Sequence, residues 1–281
     1  MNNEKELQSS TVNATSEEIE VEVVREPENI LSTTLKWLEL YKEKNNVKGV
    51  VLGLSGGKDS TVVAMLAKKV WKDKVFAVLM PNGEQADIND SLAIAKTLNL
   101  RYRIVNIKNA FDSIISEIDS NTPYDEYTVL VTEKSKTNIA PRLRMTTLYA
   151  IAQSLGYLVI GTGNLSESAV GWTTKFGDSA CDFNPIGHIA CTEVIEVGKL
   201  LAKEFNLDEK YIVKSPSDGL TGKTDEENLG FTYEELDKFI LDFEEGPNAE
   251  KIKSMIKSSA HKRYLPAKVP NLYDLRIRLE E

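Results

Sequence analysis

The chain has 281 residues, 41% of them hydrophobic, and a formal net charge of −9 from 34 basic against 43 acidic side chains. That is enough for one large domain or two small ones with an ample core, while the acidic balance argues against a general nucleic-acid binder. No apolar stretch approaches the ~20 residues of a membrane span, and no basic-then-apolar leader opens the chain, so a cytoplasmic protein without membrane partners is expected.

Residues 1–28 carry eight acids against two bases and no sustained apolar face before Val21–Val24. They read as a flexible or loosely packed extension, with an added dimer contact as the other use. Residues 29–281 read as one domain. Ile30, Leu31, Leu35, Leu38 and Leu40 lie roughly along one helical face. Strands and helices then alternate: strand 49–54, helix 59–72, strand 74–80, helix 84–100, strand 101–107 and helix 108–119. A polar connection over 120–137 leads to a helix over about 139–155 and a strand over 157–161. This order predicts an α/β fold, a doubly wound parallel sheet with helices on both faces. Ligands of such sheets bind beyond the carboxyl ends of the strands. Two segments leave strands at that edge, the turn at 53–60 and "GTGNLSES" at 161–168.

The first is Gly53-Leu-Ser-Gly-Gly-Lys-Asp-Ser60, between a strand and a helix start. A glycine turn there exposes backbone N–H groups at the positive end of a helix, where they can wrap a phosphate or pyrophosphate. It is not the nucleotide-kinase loop G-x-x-x-x-G-K-[ST]: the spacing is one residue too short, and Asp59 stands where the metal-binding hydroxyl belongs. Asp59 shares a helical face with Val62, Val63 and Leu66. A carboxylate heading an apolar, sheet-facing stripe needs a neutralising partner, either a metal with phosphates or the helix dipole. Cys181 and Cys191 form neither a C-x-x-C pair nor a zinc set, and His188 and His261 are too few for a metal cluster, so reduced, partly buried thiols are expected.

The string S-G-G-x-D-S resembles the pyrophosphate loop of the N-type ATP pyrophosphatases. That likeness implies that Gly53, Leu54, Ser55, Gly56, Gly57, Lys58, Asp59 and Ser60 bind ATP, with Asp59 helping to hold magnesium. From about residue 30 onward the chain is similar to ammonia-dependent NAD synthetases. The likeness is carried by "NIAPRLRMTTLYAIAQS", "GTGNLSESAVGWTTKFGDSACDFNPI", "KSPSDGLTGKTDEENLGFTYEELD" and "HKRYLPA". It implies an adenine nucleotide alpha hydrolase-like fold, an intimate homodimer, and amidation of deamido-NAD by ammonia through an adenylated nicotinate carboxylate. It further implies Glu167 as a second magnesium ligand, Thr162 and Ser217 at ATP, and Arg142, Lys175, Asp182, His261 and Lys262 at deamido-NAD. Asp59 and Lys175 are the implied catalytic residues, Lys175 in a glycine-bearing loop suited to a lid. Arg142 is expected to serve the neighbouring subunit's site. Arg144 shares a face with Leu148, Ile151 and Leu155 and reads as structural.

One position departs from the resemblance. Many members carry an ATP-contacting lysine just before "TEV"; this chain has Cys191 there, and Lys58 is a candidate to supply the missing charge. Other readings are a different amide synthetase of the ATP pyrophosphatase type, or an impaired relative that holds nucleotide without chemistry. Glutamine-dependent versions add an amidase domain with a catalytic cysteine, and neither cysteine here sits in such a context. Free ammonia, or ammonia handed over by a separate protein, is therefore the expected nitrogen source.

Overall fold

The computed structural model describes residues 25–84, 88–120, 129–214 and 224–266. In chain order the elements are α1 (Pro27–Lys44), β1 (Val50–Gly53), α2 (Lys58–Trp71), β2 (Val75–Leu79), α3 (Ile88–Thr97), β3 (Arg101–Ile104) and α4 (Lys108–Ser120). They continue with α5 (Glu133–Leu155), β4 (Leu158–Val159), α6 (Leu165–Val170), α7 (Cys191–Phe205) and α8 (Lys210–Val213). The last are α9 (Asp225–Leu229), α10 (Tyr233–Leu241) and α11 (Ala249–Ser258), followed by one 3-10 turn, Ala260–Lys262. Of the acidic extension, residues 1–24 lie outside the described residues. Arg25 forms a bidentate ion pair with Glu193 and donates to the His188 carbonyl.

The strands pair in parallel in the order β3-β2-β1-β4. Successive side chains of a strand point to opposite faces, and β1 divides accordingly. Val50 and Leu52 pack with α1, α2, α3 and α7, whereas Val51 packs with Val78, Val159 and α5. The chain runs from β1 through β2 to β3 on one side, then returns to place β4 on the other side of β1. The reversal lies between β1 and β4, so their carboxyl ends define the crevice where such sheets hold ligands. A third apolar cluster, Val170, Cys191, Leu229, Phe231, Tyr233, Leu236 and Ile252, joins α6, α7, α10 and α11 beside that crevice.

Several elements differ from expectation: β3 ends at Ile104 rather than at 107, and α3 ends at Thr97 rather than at 100. α5 starts at Glu133, six residues before the predicted start, because the Thr132 side chain caps the Ser135 N–H and the helix runs through Pro141. β4 is shorter than its apolar run, since beyond Val159 the pairing passes to a bridge between Ile160 and Phe183. At the opposite edge β3 exposes all four of its residues, and α4 buries none, leaving Ile114 and Ile118 exposed. An open groove of about 490 Å³ runs between α4 and α5, lined by Ile118, Val129, Leu130, Asn138 and Arg142. No helix among the described residues is long and apolar enough to cross a membrane.

Candidate active site

The turn after β1 is shaped by glycine and by its own serines. Gly56 has φ +85°, and a Cβ there would lie 3.0 Å from Ser91 Oγ and 3.2 Å from the Ser91 amide of α3. Only glycine takes that conformation at that distance without strain. The Gly57 N–H donates to Ser55 Oγ at 3.2 Å, the Ser55 N–H to Ser60 Oγ at 3.3 Å, and Ser60 Oγ to the Gly57 carbonyl at 3.1 Å. Gly57 is the N-cap of α2 and no side chain caps that end. The first amides of α2 thus face the crevice with the positive end of the helix dipole behind them.

Asp59 heads the buried stripe Val62, Val63 and Leu66, as its spacing predicts. Its carboxylate has two close donors, Lys58 Nζ at 2.6 Å on Oδ2 and Asn164 Nδ2 at 3.0 Å on Oδ1. Lys58 is 1% exposed, and its ammonium also lies 5.7 Å from the centre of the Tyr233 ring. Burial works against its charge, but Asp59, Cys191 and Glu167 outweigh it, so Lys58 holds its proton more tightly than a free lysine. Cys191 is the neighbour that links this ion pair to α7. Burial pushes its thiol well up, against the charge of Lys58 and a hydrogen bond with it. Cys191 is therefore in contact with the lysine expected to supply charge at that place.

Asn164 ties the second carboxylate to the first. It is the N-cap of α6: its Oδ1 accepts the Glu167 N–H at 2.9 Å and its own N–H donates to Glu167 Oε2 at 3.1 Å, a capping box. Glu167 and Asp59 thus share one asparagine between the ends of β4 and β1. Burial and the Asp59 charge push the Glu167 carboxyl up to about 8, against Lys58 and the Asn164 N–H. Between the ordinary carboxyl range and that value, the folded chain holds a proton that the unfolded chain has released, so stability falls as pH rises. Glu167→Gln lacks this loss. In thermal melts with chelator, its stability relative to the unsubstituted chain is expected to grow from about pH 5 to about pH 8 and then level off. A difference that does not vary with pH would refute the raised pKa.

Beneath this pair lies a buried polar network that the sequence did not suggest. Asp237 on α10 accepts from Ser166 Oγ, from the Thr192 N–H at 2.8 Å and from Thr192 Oγ1 at 2.8 Å. Ser166 Oγ accepts the Cys191 N–H at 2.8 Å. Ala190, the N-cap of α7, has no side-chain oxygen, so Ser166 and Asp237 cap that helix from outside.

Most of the remaining predicted residues gather around the segment after α6. Lys175 donates to the His261 carbonyl, and the Arg142 guanidinium to the Lys175 carbonyl at 3.4 Å. Lys262 Nζ grips the Gly171 and Thr173 carbonyls, each at 2.7 Å, and burial lowers its pKa. Arg263, not singled out from the sequence, bonds the Ser168, Ala169 and Ile256 carbonyls and Ser259 Oγ. Asp182 accepts the Val159 N–H at 2.7 Å and the Tyr149 hydroxyl at 3.4 Å, prolonging the sheet edge beyond β4. Arg144 donates to the Met80 carbonyl at 3.2 Å, consistent with a structural residue. Thr162 lies on the turn between β4 and α6, and Ser217 lies outside the described residues.

Asp59 and Glu167 offer hard oxygens beside the uncapped amides of the α2 terminus, the donor chemistry of a magnesium–nucleotide site. Among the described residues no group of three or more histidine, cysteine or acidic side chains could hold a metal alone. Two carboxylates completed by phosphate oxygens is the set that magnesium uses in nucleotide enzymes, so the residues present fit that ion.

Known proteins resemble the chain in sequence and in fold. The NAD synthase family model matches residues 30–266. An NH(3)-dependent NAD(+) synthetase of Carboxydothermus hydrogenoformans is 40% identical over 85% of this chain and 95% of its own length. The Pyrococcus furiosus enzyme of the same description is 39% identical over 85% of this chain and 94% of its own. Among solved structures, NMN synthetase from Francisella tularensis aligns with TM-score 0.78 and 34% identity, covering 88% of this chain and 99% of that one. The NH3-dependent NAD synthetase of Campylobacter jejuni aligns with TM-score 0.67 and 33% identity over 87% and 99%. With a glycine-turned cradle at the β1–β4 reversal and a match spanning nearly all described residues, the chain belongs to the NAD synthase family.

Proposed function

We propose that the chain is a ligase that amidates deamido-NAD to NAD with ammonia, at the expense of ATP cleaved to AMP and pyrophosphate. The observation that carries this reading is the uncapped α2 terminus flanked by Asp59 and Glu167 at the sheet reversal. A carboxylate is a poor acyl donor. Its oxygen attacks the α-phosphorus of ATP, the bond to the β-phosphate breaks, and pyrophosphate leaves. Ammonia then attacks the acyl carbon, AMP departs, and a proton is released. The α2 amides and the Gly56–Gly57 turn hold the departing pyrophosphate, and Lys58 supplies positive charge beside them. Magnesium, bound by Asp59 and Glu167, would offset the phosphate charge. Lys175 and His261 close the segment after α6 over the acyl-adenylate and keep water from it. Asp182, Lys262, Thr162 and Ser217 complete the substrate contacts in this reading.

The exposed edge at β3 and α4, with the groove that contains Arg142, suits a second copy of the chain. In a homodimer Arg142 would then reach the neighbouring site. The reading places the enzyme in the cytoplasm.

Purified protein with ATP, magnesium, deamido-NAD and ammonium salt is expected to form NAD with equal AMP and pyrophosphate, and to sediment as a dimer. Glutamine in place of ammonium is expected to give no NAD. Release of ADP and orthophosphate, or efficient use of glutamine without a partner, would overturn the proposal. The likeness to an NMN synthetase supports a second reading, amidation of nicotinate mononucleotide. A larger kcat/KM for the mononucleotide than for the dinucleotide in the same assay would favour it.

A further inference from the structure

Lys58 stands where a second cation would have to enter. Both oxygens of Asp59 already face donors, Lys58 Nζ at 2.6 Å and Asn164 Nδ2 at 3.0 Å. The Lys58 side chain is among the largest fully buried ones, boxed in by the Tyr233 ring and the Cys191 thiol. Glu167, the other acidic group, has Oε2 bound to the Asn164 N–H at 3.1 Å and faces the same ammonium. A dication approaching this pair meets a like charge at ion-pair distance, in surroundings where solvent and salt screen it weakly.

We propose that Lys58 is a built-in competitor for the metal position. A divalent cation enters beside Asp59 and Glu167 only together with the phosphate oxygens of the nucleotide. Those oxygens do two things at once. They complete a coordination shell that two carboxylates leave short, and they give the ammonium a new partner as it leaves Asp59 Oδ2. The triphosphate is held by the α2 amides one residue away, so the exchange happens within the reach of a single lysine side chain. Metal and nucleotide therefore bind with strong positive coupling, and free metal alone does not load the site. Coupling of this kind is reciprocal, each ligand tightening the other by the same factor.

This inference rests on the metal reading of Asp59 and Glu167, and the test separates the two. Mn2+ serves as the probe, followed by electron paramagnetic resonance of the free ion and by calorimetry. The full chain is compared with Lys58→Met, Lys58→Gln and Asp59→Asn, each with and without α,β-methylene ATP. Without nucleotide, Lys58→Met is expected to bind Mn2+ at least about tenfold more tightly than the unsubstituted chain. With the analogue, the unsubstituted chain is expected to gain Mn2+ affinity by more than either Lys58 variant does. Lys58→Gln keeps a polar group against Asp59 and supplies the comparison if the methionine variant does not fold. Equal Mn2+ affinity of the unsubstituted chain and the Lys58 variants without nucleotide would overturn the competitor role alone. If the analogue brings no Mn2+ that depends on Asp59, the metal reading fails and the inference falls with it.

Discussion

Asp59→Asn is expected to lower kcat/KM for ATP about a thousandfold, the scale on which losing a preorganised charge at a transferring phosphoryl group is felt. The asparagine is nearly isosteric and keeps an oxygen for the Asn164 amide, which donates to Oδ1 at 3.0 Å. What it cannot supply is negative charge, for a metal or for the ammonium 2.6 Å from Oδ2. Lys58 is then left buried without its ion-pair partner, beside Glu167, Cys191 and the Tyr233 ring, so stability falls as well. The two losses can be separated. In Asp59→Asn with Lys58→Met, a neutral pair replaces the buried ion pair. Much of the stability is expected to return, because removing both partners avoids an orphaned charge, while turnover stays low. Steady-state kinetics well below the unfolding temperature, beside denaturant titrations of single and double variants, provide the check. Near-normal turnover in either Asp59 variant would remove the basis of the proposed chemistry.

Asp237→Ala is expected to cost on the order of 3 kcal/mol of stability, because one buried and two part-buried donors lose their acceptor together. The donors are Ser166 Oγ, the Thr192 N–H and Thr192 Oγ1. Burial raises the Asp237 pKa and these three bonds pull it back down, so the carboxylate depends on them as they depend on it. The loss has a direct structural meaning. α7 begins at Cys191 with no side-chain cap of its own, and its first amide bonds to the same Ser166 that Asp237 holds. Ser166 precedes Glu167 in α6, so a slackened Asp237 network loosens the ground under both the second carboxylate and the Lys58–Cys191 contact. A urea midpoint lowered at unchanged slope would match this account. Asp237→Asn keeps one acceptor oxygen and is expected to lose less. An alanine variant as stable as the parent would show that solvent or neighbouring groups replace the carboxylate.

Much of the site was legible because its signals are local. The strand, turn and helix around residues 50–71 follow from an apolar run, two glycines and a 3–4–7 stripe, each read within one window. The parallel sheet followed from alternation, and its reversal put the two motif-bearing turns side by side. The likeness to relatives then attached roles to residues that spacing alone could not separate. The start of α5 escaped because Pro141 reads as a helix boundary, yet the Thr132 cap lies a full two turns upstream of it. Asn164 was readable as an Asn-x-x-Glu capping box, but not as a donor to Asp59, which is 105 residues away. Asp237 was invisible for the same reason: its partners are 71 and 45 residues distant, and a lone aspartate in an amphipathic helix looks solvated. Cys191 could be singled out in the sequence. That it rests against Lys58 needed three dimensions.

The way Lys262 and Arg263 hold the segment after α6 has an evolutionary corollary. Their acceptors at residues 168, 169, 171 and 173 are main-chain oxygens, which every amino acid owns alike. Side chains along that stretch can drift to suit a new acyl donor without releasing those contacts. Val170, buried in the third apolar cluster, and Gly171, where any Cβ would strike Ser259 at 2.2 Å, are the exceptions. Latitude in recognition and constancy of mechanics can thus coexist in neighbouring residues.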